Sequence, residues 1–365
     1  MIAGGGTGGH TSPGLAVAAL LHQRGLPHVW IGSRDGVEAR RAGEQSIPYY
    51  AIPTGKLRRY WAWRNVSDLA INVPAGVLRA HALVRRLRPR VVLATGGFVA
   101  LPVVAGAAAA RVPIVVHEQT AVPGLANRLA ARLARRVAVS FAESGRHFPA
   151  GRVVVTGNPL RPDLRAGTRA DAVARFGLDP ALPLIYVTGG AQGAHAINRA
   201  VGAIAGDLLT QAQLIHQCGD NRETGDLAWL QAQRAALPPA LARRYTVMPW
   251  VGAELAGIYA AASLMISRAG AGTVNEACHL GVPALYIPLP GASGDEQTAN
   301  ARLVTGAGGG AILPQTELSP AILLAQVQRL LGDPGRLKDM GERARALAIP
   351  DAAQRLVDLL LEIGA

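Results

Sequence analysis

The sequence predicts an α/β protein of two domains, each a parallel sheet with helices on both faces. Three observations support this prediction. The chain has 365 residues, of which 50% are hydrophobic and only 4% aromatic, enough for two cores of aliphatic side chains. Short apolar runs alternate with longer helical segments rich in Ala, Leu and Arg. A glycine-rich turn from strand to helix occurs in each half, at residues 4–10 and 189–195, so the halves are expected to share one fold.

The strand candidates are short and rich in Val, Ile and Leu, as buried parallel strands usually are. They cover residues 28–32, 91–95, 114–118, 136–140, 153–157, 184–189, 213–217, 264–267 and 283–288, after a very short first strand. Residues 91–110 carry no charge and are long enough to span a membrane. Thr95, Gly96, Gly97 and Pro102 interrupt this stretch, so a strand, a loop and a buried helix are expected instead.

A linker is expected at residues 157–162, which read GNPLRP. Its two prolines cannot continue a helix, and glycine and asparagine favour turns. The sequence therefore predicts an N-terminal domain at residues 1–157 and a C-terminal domain at residues 158–349.

The charge of the chain is distributed unevenly. Residues 1–150 hold 19 Lys or Arg and 6 Asp or Glu, whereas residues 151–365 hold 18 of each, so the first part carries the whole net charge of +13. A basic half attracts phosphates, nucleic acid or an anionic membrane, and the alternative is a set of solvated helix faces. The two cysteines and the absence of a visible signal sequence favour a reducing cytosol over a disulfide framework or a zinc site.

Both glycine-rich turns are candidate phosphate sites, because glycines let the backbone approach an anion at a helix N-terminus. Gly4, Gly6 and Gly9 fit the spacing G-x-G-x-x-G. No acidic residue ends the strand at 28–32, which argues against a dinucleotide, and no Gly-Lys-Ser/Thr follows either turn. A purely structural tight turn remains the alternative.

Three further segments carry candidate binding residues. Glu276 follows the turn at residues 267–273 and is expected in or just after the first turn of a helix, where it could bind a ribose diol or merely complement the helix dipole. Residues 294–300 could contact sugar hydroxyls or simply cap a helix. His117 ends a strand, before Gln119 and Thr120, and is either a ligand contact or a buried, satisfied histidine.

Residues 53–90 combine aromatic, aliphatic and basic side chains. Trp61 and Trp63 lie among Arg58, Arg59 and Arg64, and the apolar stretch Leu69–Leu78 is followed by further arginines. This composition is typical of a surface that rests in lipid headgroups, and core packing beside a basic face is the alternative.

Six blocks together resemble the MurG family of glycosyltransferases, and they occur in the family's order: residues 5–18, 94–102, 117–128, 156–164, 189–198 and 267–290. The resemblance implies the GT-B architecture, two Rossmann-like domains facing a cleft, with the helix at 350–365 packing back on the N-terminal domain. It implies inverting transfer of N-acetylglucosamine from UDP-N-acetylglucosamine to undecaprenyl-linked N-acetylmuramoyl-pentapeptide, in peptidoglycan synthesis. It also implies no cofactor and a cytoplasmic enzyme bound peripherally to the inner face of the cell membrane.

The resemblance also implies roles for individual residues. The donor would contact Arg161, Gln192, Gly193, Val251, Glu276, Gln297 and Asn300. The acceptor would contact Thr7, Gly8, Gly9, His10, Thr120 and Asn127, with the glycines facing its diphosphate. His10 is the candidate base, because histidine usually titrates near physiological pH. Four positions depart from the family pattern: Thr120 replaces Asn, Phe98 replaces Tyr, Ala191 replaces Ser, and Glu296 replaces Gln or His.

Two other functions remain open from the sequence. One is another glycolipid glycosyltransferase of the same architecture, and the other is a nucleotide-sugar-binding protein without catalysis, which the four departures would permit. A nucleic-acid partner is not expected, because the basic half contains no recognised nucleic-acid-binding module. No carboxylate cluster suggests a required metal.

Overall fold

The computed structural model describes residues 1–55, 71–291 and 293–365, and it divides the chain into two compact units. Unit 1 consists of Met1–Arg161 and Ile349–Ala365, and unit 2 of Pro162–Ala348. The boundary falls after Arg161 rather than after the expected Gly157, so Arg161 is grouped with unit 1. Each unit has its own sheet and its own core.

Unit 1 contains a parallel sheet of seven strands in the order β3-β2-β1-β4-β5-β6-β7. The strands are β1 (Ile2–Gly4), β2 (Trp30–Gly32), β3 (Tyr49–Ala51), β4 (Val92–Gly96), β5 (Ile114–Glu118), β6 (Arg136–Val139) and β7 (Val153–Val155). The helices that connect them are α1 (Gly8–Gln23), α2 (Val37–Glu44), α3 (Val73–Leu87), α4 (Ala100–Ala109) and α5 (Leu125–Leu133). Registers such as Val92 opposite Ile114 align the apolar runs that predicted the strands.

Unit 2 repeats this plan with six parallel strands in the order β10-β9-β8-β11-β12-β13. They are β8 (Leu184–Thr188), β9 (Gln213–Gln217), β10 (Tyr245–Met248), β11 (Ala262–Ser267), β12 (Ala284–Tyr286) and β13 (Gly310–Ile312). The helices are α6 (Arg169–Phe176), α7 (His195–Ala203), α8 (Ala205–Leu209), α9 (Asp226–Ala235), α10 (Pro239–Ala242), α11 (Leu255–Ala261), α12 (Ala271–Leu280), α13 (Glu296–Gly306), α14 (Pro320–Leu331) and α15 (Pro334–Ala346). The prediction of two similar parallel-sheet units is confirmed.

The last helix, α16 (Ala352–Gly364), belongs to unit 1. Its apolar face packs on α1 and β1, where Leu356 and Leu360 join a core with Ile2 and Leu15. Burying such a face removes about 1.5–3 kcal/mol of unfavourable hydration per large aliphatic side chain. The helix therefore closes one face of the first sheet.

The uncharged stretch 91–110 forms strand β4, a glycine loop and helix α4, as predicted. Val103 and Val104 of α4 are buried in the core of unit 1. Among the residues that the structure describes, no helix is long and apolar enough to cross a membrane.

Candidate functional site

In each sheet the strand order reverses at one point, between β1 and β4 and between β8 and β11. Parallel sheets bind ligands outside the carboxyl ends of their strands at this point. Four loops leave these strand ends: loop 1 (residues 5–7), loop 2 (97–99), loop 3 (189–194) and loop 4 (268–270). The glycine motifs of the sequence all lie in them or at the helix starts that follow them.

Loops 1 and 2 of unit 1 are pressed together. The N–H of Gly5 donates to Gly96 O at 3.3 Å, and a Cβ on Gly97 would collide with Gly5 O. Gly6 has φ +83°, a left-handed conformation that suits glycine, and a Cβ there would strike the ring of Phe98. The glycines therefore fix the loop path, which supports a steric role for them besides ligand contact.

Thr7, Gly8, Gly9 and His10 lie at the N-terminus of α1. Thr7 caps the helix, since its Oγ1 accepts from the His10 N–H at 3.4 Å and is hydrogen bonded to His10 Nδ1 at 2.8 Å. The N–H groups of Gly8 and Gly9 are in the first turn, where helices offer them no acceptor. Burial lowers the pKa of His10 to about 4. This shift favours the neutral imidazole at physiological pH, and the role of His10 as base stays a prediction.

The end of β5 brings the predicted Thr120 and Asn127 to a buried carboxylate. Glu118 accepts from Thr120 N at 2.9 Å, from Thr120 Oγ1 at 2.7 Å and from Asn127 Nδ2 at 2.8 Å. Asn127 Oδ1 is buried and has no partner among the described residues, and Asn127 lies beside Gly96. Asn127 therefore presents an unused acceptor, whereas the Thr120 hydroxyl proton is shared between Glu118 and Val122 O.

His117 is fully buried, and its Nε2 donates to Gly157 O at 3.1 Å. Burial lowers the pKa of His117 to about 4. His117 Nδ1 is also buried and has no hydrogen-bond partner among the described residues. The ring is therefore buried but only half satisfied, and its role as a ligand contact stays a prediction.

Loop 3 of unit 2 crosses the loop that follows β9. Gly190 N donates to Thr188 Oγ1 at 3.1 Å, and Gly193 N donates to Gly190 O at 3.0 Å. Gly193 has φ +74°, and a Cβ on it would collide with Cys218 O. Gln192 is exposed at the tip of the loop. The crossing therefore requires glycine and presents Gln192 to solvent.

Glu276 lies in the second turn of α12, just after the first turn and within the range expected from the sequence. Its Oε2 accepts from Tyr259 Oη of α11 at 2.8 Å. Because Glu276 is not in the first turn, its interpretation as a helix-dipole partner weakens, since that effect falls off within one turn. The bond to Tyr259 fixes the direction of the carboxylate.

The start of α13 is tied to loop 4 and to the end of β12. Gln297 Oε1 accepts from Leu289 N at 3.0 Å, so its amide nitrogen faces away from that backbone. Asn300 is buried and donates to Ala269 O at 3.1 Å. Arg268 donates to the carbonyls of Ile287 and Pro288 at 3.0 and 3.2 Å. Asn300 is therefore placed to hold loop 4, and the amide nitrogen of Gln297 has no hydrogen-bond partner among the described residues.

Val251 follows β10 with a buried side chain. Neither its N–H nor its carbonyl has a hydrogen-bond partner within the described parts of the chain, which leaves its backbone for a ligand. Trp250 beside it is 44% exposed. Arg161 is half-buried at the end of unit 1. In the described residues, no group of three or more His, Cys, Asp or Glu side chains could hold a metal ion.

Comparison with known families accounts for both units. Residues 1–139 match the model of the glycosyltransferase family 28 N-terminal domain, and residues 184–356 match that of its C-terminal domain. A curated relative from Nocardioides sp. is 42% identical and covers 100% of this chain and 98% of its own length.

The chain belongs to glycosyltransferase family 28.

Two of these relatives have the same name. The Nocardioides protein and one from Alkalilimnicola ehrlichii, 40% identical over 99% of this chain and 98% of its own, are each called UDP-N-acetylglucosamine--N-acetylmuramyl-(pentapeptide) pyrophosphoryl-undecaprenol N-acetylglucosamine transferase. The crystal structure of Acinetobacter baumannii MurG aligns with a TM-score of 0.76 and 32% identity, covering 99% of this chain and 98% of that one. The resemblance drawn from the six sequence blocks is confirmed.

Two buried carboxylates of this family 28 enzyme escaped the sequence interpretation. Glu38 of α2 accepts from Gly6 N at 3.0 Å and from Ser33 N at 3.0 Å. Asp226 of α9 accepts from His195 Nδ1 and Asn198 Nδ2, each at 2.8 Å. Each acid lies about 30 residues beyond the glycine-rich turn that it supports, so no local motif marked it in the sequence.

The membrane hypothesis rests partly on residues that lie outside the described parts of the chain: Trp61, Trp63, Arg58, Arg59 and Arg64. Ile71 and Leu78 lie within them and are 65% and 72% exposed. The alternative of core packing is therefore wrong for these two side chains.

Proposed function

We propose that this chain transfers N-acetylglucosamine from UDP-N-acetylglucosamine to undecaprenyl-pyrophosphoryl-N-acetylmuramyl-pentapeptide, the reaction for which its full-length relatives are named. One observation carries the proposal: each unit of a chain that aligns end to end with these transferases presents a glycine-rich loop at the switch point of its sheet. Two such loops suit two substrates that each contain a diphosphate.

The donor binds unit 2 in this proposal. Loop 3, with Gln192 and Gly193, receives the diphosphate at the N-terminus of α7. The backbone of Val251 reads the uracil, because both of its polar groups lack a partner among the described residues. Glu276 accepts from the ribose hydroxyls with the direction that Tyr259 gives it.

The sugar of the donor meets α13. Gln297 has its Oε1 occupied by Leu289 N, so its amide nitrogen donates to a sugar oxygen. Asn300 contributes by holding loop 4 through Ala269 O. Gln297 thus recognises the sugar from a rigid helix end, while Asn300 supports the neighbouring loop.

The acceptor binds unit 1 in this proposal. Its diphosphate lies at the first turn of α1, near the N–H groups of Gly8 and Gly9. The unused Oδ1 of Asn127 accepts a hydrogen bond from the muramyl group. Thr120 acts mainly by holding Glu118, since its hydroxyl proton is already used within the protein.

The chemistry is an inverting displacement. The acceptor hydroxyl attacks the anomeric carbon opposite UDP and forms a β linkage. The bond to UDP breaks, its electron pair leaves with the diphosphate, and the hydroxyl proton passes to a base, for which His10 is the candidate. Donors aimed at the departing phosphates stabilise the developing charge. His10 is neutral, because burial lowers its pKa to about 4. It therefore accepts a hydrogen bond and orients the hydroxyl, and it is a weaker base than an ordinary histidine.

A transfer assay tests the proposal directly. Radiolabelled UDP-N-acetylglucosamine is incubated with the lipid-linked muramyl acceptor, and the lipid product is extracted and counted. Label should move to the lipid with the acceptor and not without it. Donor hydrolysis at the same rate with and without acceptor would indicate a different enzyme, and binding without turnover would indicate a non-catalytic nucleotide-sugar-binding protein.

The acceptor is anchored in lipid, so the chain works at the inner face of the cell membrane and reaches it through unit 1. Leu125, Leu129 and Leu133 recur at every fourth residue of α5 and are 64%, 39% and 52% exposed. Arg128 and Arg132 of the same helix are exposed beside them. We call this set the α5 stripe. Aliphatic side chains flanked by arginines suit an anionic headgroup layer.

A further inference from the structure

His195 is the first residue of α7, immediately after loop 3. Its side chain is 54% exposed. The proposed function gives the donor diphosphate to this helix start, and the following inference rests on that assignment. A side chain at this position shares the ligand's surroundings with the backbone N–H groups of the first turn.

A buried carboxylate determines how the His195 ring is held. Asp226 is 4% exposed and accepts from His195 Nδ1 at 2.8 Å and from Arg199 Nε at 3.1 Å. An ionised carboxylate only accepts, so the proton of a neutral His195 ring is on Nδ1. Nε2, at the opposite edge of the ring, has no partner among the described residues.

Asp226 is itself immobilised by a chain of hydrogen bonds with one consistent direction. Asn198 Nδ2 donates to Asp226 Oδ2 at 2.8 Å and to Cys218 O at 2.9 Å. Its Oδ1 therefore accepts from His216 Nε2 at 3.0 Å. Burial lowers the pKa of His216 to about 3, so this ring is neutral and its Nδ1 accepts from Tyr245 Oη at 3.0 Å. Each side chain in this series can donate and accept in only one direction, and the series therefore fixes the position of the Asp226 carboxylate beside His195.

Charged groups from three elements surround His195. Arg199 of α7 donates to Asp226 of α9. Asp220 lies on the loop after β9, and its backbone N–H donates to Ala191 O. The pKa of Asp226 stays below its ordinary value: burial would raise it, but the hydrogen bonds from Asn198 and His195 outweigh this effect. The carboxylate is therefore charged and can hold an imidazolium.

We propose that His195, oriented by Asp226, is a donor-binding residue that takes up a proton when the nucleotide diphosphate binds. A neutral His195 would turn a lone pair on Nε2 toward the phosphates, whereas the protonated ring donates to them. The protonated ring binds the diphosphate more tightly than the neutral ring does, so donor affinity falls as the pH rises.

Calorimetric titration of UDP-N-acetylglucosamine into the full chain tests the inference. This ligand is preferred to UDP because its diphosphate is esterified at both ends and does not titrate near neutrality. Titrations at pH 8 in HEPES and in Tris separate proton uptake from binding heat. The wild type should take up a substantial fraction of one proton and lose up to about tenfold in affinity per pH unit.

Two variants and one control assign the effect. His195→Gln should abolish the uptake, bind about tenfold more weakly at pH 6.5, and approach the wild type at pH 9. Asp226→Asn should also abolish the uptake. His279→Gln, at the last turn of α12, should behave as the wild type. Because His195 is exposed, His195→Gln is expected to fold, so it tests the proton uptake even if Asp226→Asn does not fold.

The outcomes separate the two proposals. A wild type that does not bind UDP-N-acetylglucosamine would overturn the proposed function. Binding with no proton uptake, or uptake that persists in His195→Gln, would overturn the role of His195 and leave the proposed function standing.

Discussion

Loops 1 and 3 are corresponding turns of the two units, yet a buried carboxylate supports each in a different way. In unit 1, Glu38 accepts the N–H of Gly6, so the carboxylate holds the loop backbone itself. In unit 2, Asp226 accepts from His195 and Asn198, so the carboxylate holds the helix that follows the loop. Both acids are at most 4% exposed.

This difference has consequences for recognition. Two backbone donors of loop 1 are already used within the protein, because the Gly6 N–H donates to Glu38 and the Gly5 N–H donates to Gly96 O. The proposed acceptor contacts of unit 1 are therefore expected at the start of α1 and at side chains such as His10. Loop 3 closes on itself through Gly190 and Gly193, and its support lies one helix turn away. Similar folds thus divide backbone and side-chain recognition differently.

The largest expected effect follows from replacing Glu38. In Glu38→Gln the new amide group meets a donor on both sides, Gly6 N and Ser33 N, so loop 1 must shift. Transfer should fall about 100-fold, equivalent to about 2.7 kcal/mol, while affinity for UDP-N-acetylglucosamine stays unchanged. Transfer kinetics and calorimetry measure the two quantities. Glu44→Gln, an exposed site on the same helix, should behave as the wild type in both.

The next effect concerns unit 2. Glu276→Ala should weaken UDP binding by roughly 1.5–3 kcal/mol, the range for a hydrogen bond to a charged group. Tyr259→Phe should cause a smaller loss, because it removes only the hydroxyl that orients Glu276. Unchanged UDP affinity in Glu276→Ala would remove this residue from the donor site.

These two experiments address parts of the site that the sequence predicted unequally. The glycine loops and Glu276 were recognisable because motif spacing and helix starts are local features. Glu38 and Asp226 were not, because their partners come from separate elements: Gly6 lies 32 residues from Glu38 in the chain. A buried carboxylate is recognisable only once the fold places donors around it.

The fold shows the same limit. The buried central strands were all predicted from apolar runs. The three strands not among the candidates, β3, β10 and β13, are edge strands, and their residues are mostly half-exposed. An edge strand needs no continuous apolar run, so composition alone does not mark it.

Acid should destabilise both units through buried histidines. Burial lowers the pKa of His10 and of His117 in unit 1 to about 4, and that of His216 in unit 2 to about 3. Between pH 6.5 and 4 the unfolded chain binds protons that the folded chain does not, so stability falls as the pH falls. Each histidine should contribute about 1.4 kcal/mol per pH unit. Urea unfolding at pH 7, 6 and 5 measures the slope.

A substitution in unit 2 sharpens this prediction. His216→Gln should be less stable at pH 7, since it disrupts the bond to Asn198, and it should lose stability less steeply on acidification. An unchanged slope in His216→Gln would show that folding does not lower the pKa of His216, contrary to its burial.

The smallest effect per residue concerns the surfaces of the units. Charge reversal at Arg128 or Arg132 should weaken binding to anionic vesicles by about 1 kcal/mol each. Leu129→Gln with Leu133→Gln should remove the part of binding that survives high salt. Ile322→Gln, an exposed aliphatic residue of unit 2, is the control. Cosedimentation showing no preference for anionic over neutral vesicles would contradict the role of the α5 stripe.

The division of substrates between the units is tested most directly by two matched glycine variants. Gly97 in loop 2 and Gly193 in loop 3 both have positive φ, +80° and +74°, and a Cβ on either would collide with a backbone carbonyl. Gly193→Ala should lose affinity for UDP-N-acetylglucosamine in calorimetry, whereas Gly97→Ala should bind it as the wild type does and still fail to transfer the sugar. Loss of donor binding in Gly97→Ala, or its retention in Gly193→Ala, would contradict the assignment of acceptor to unit 1 and donor to unit 2.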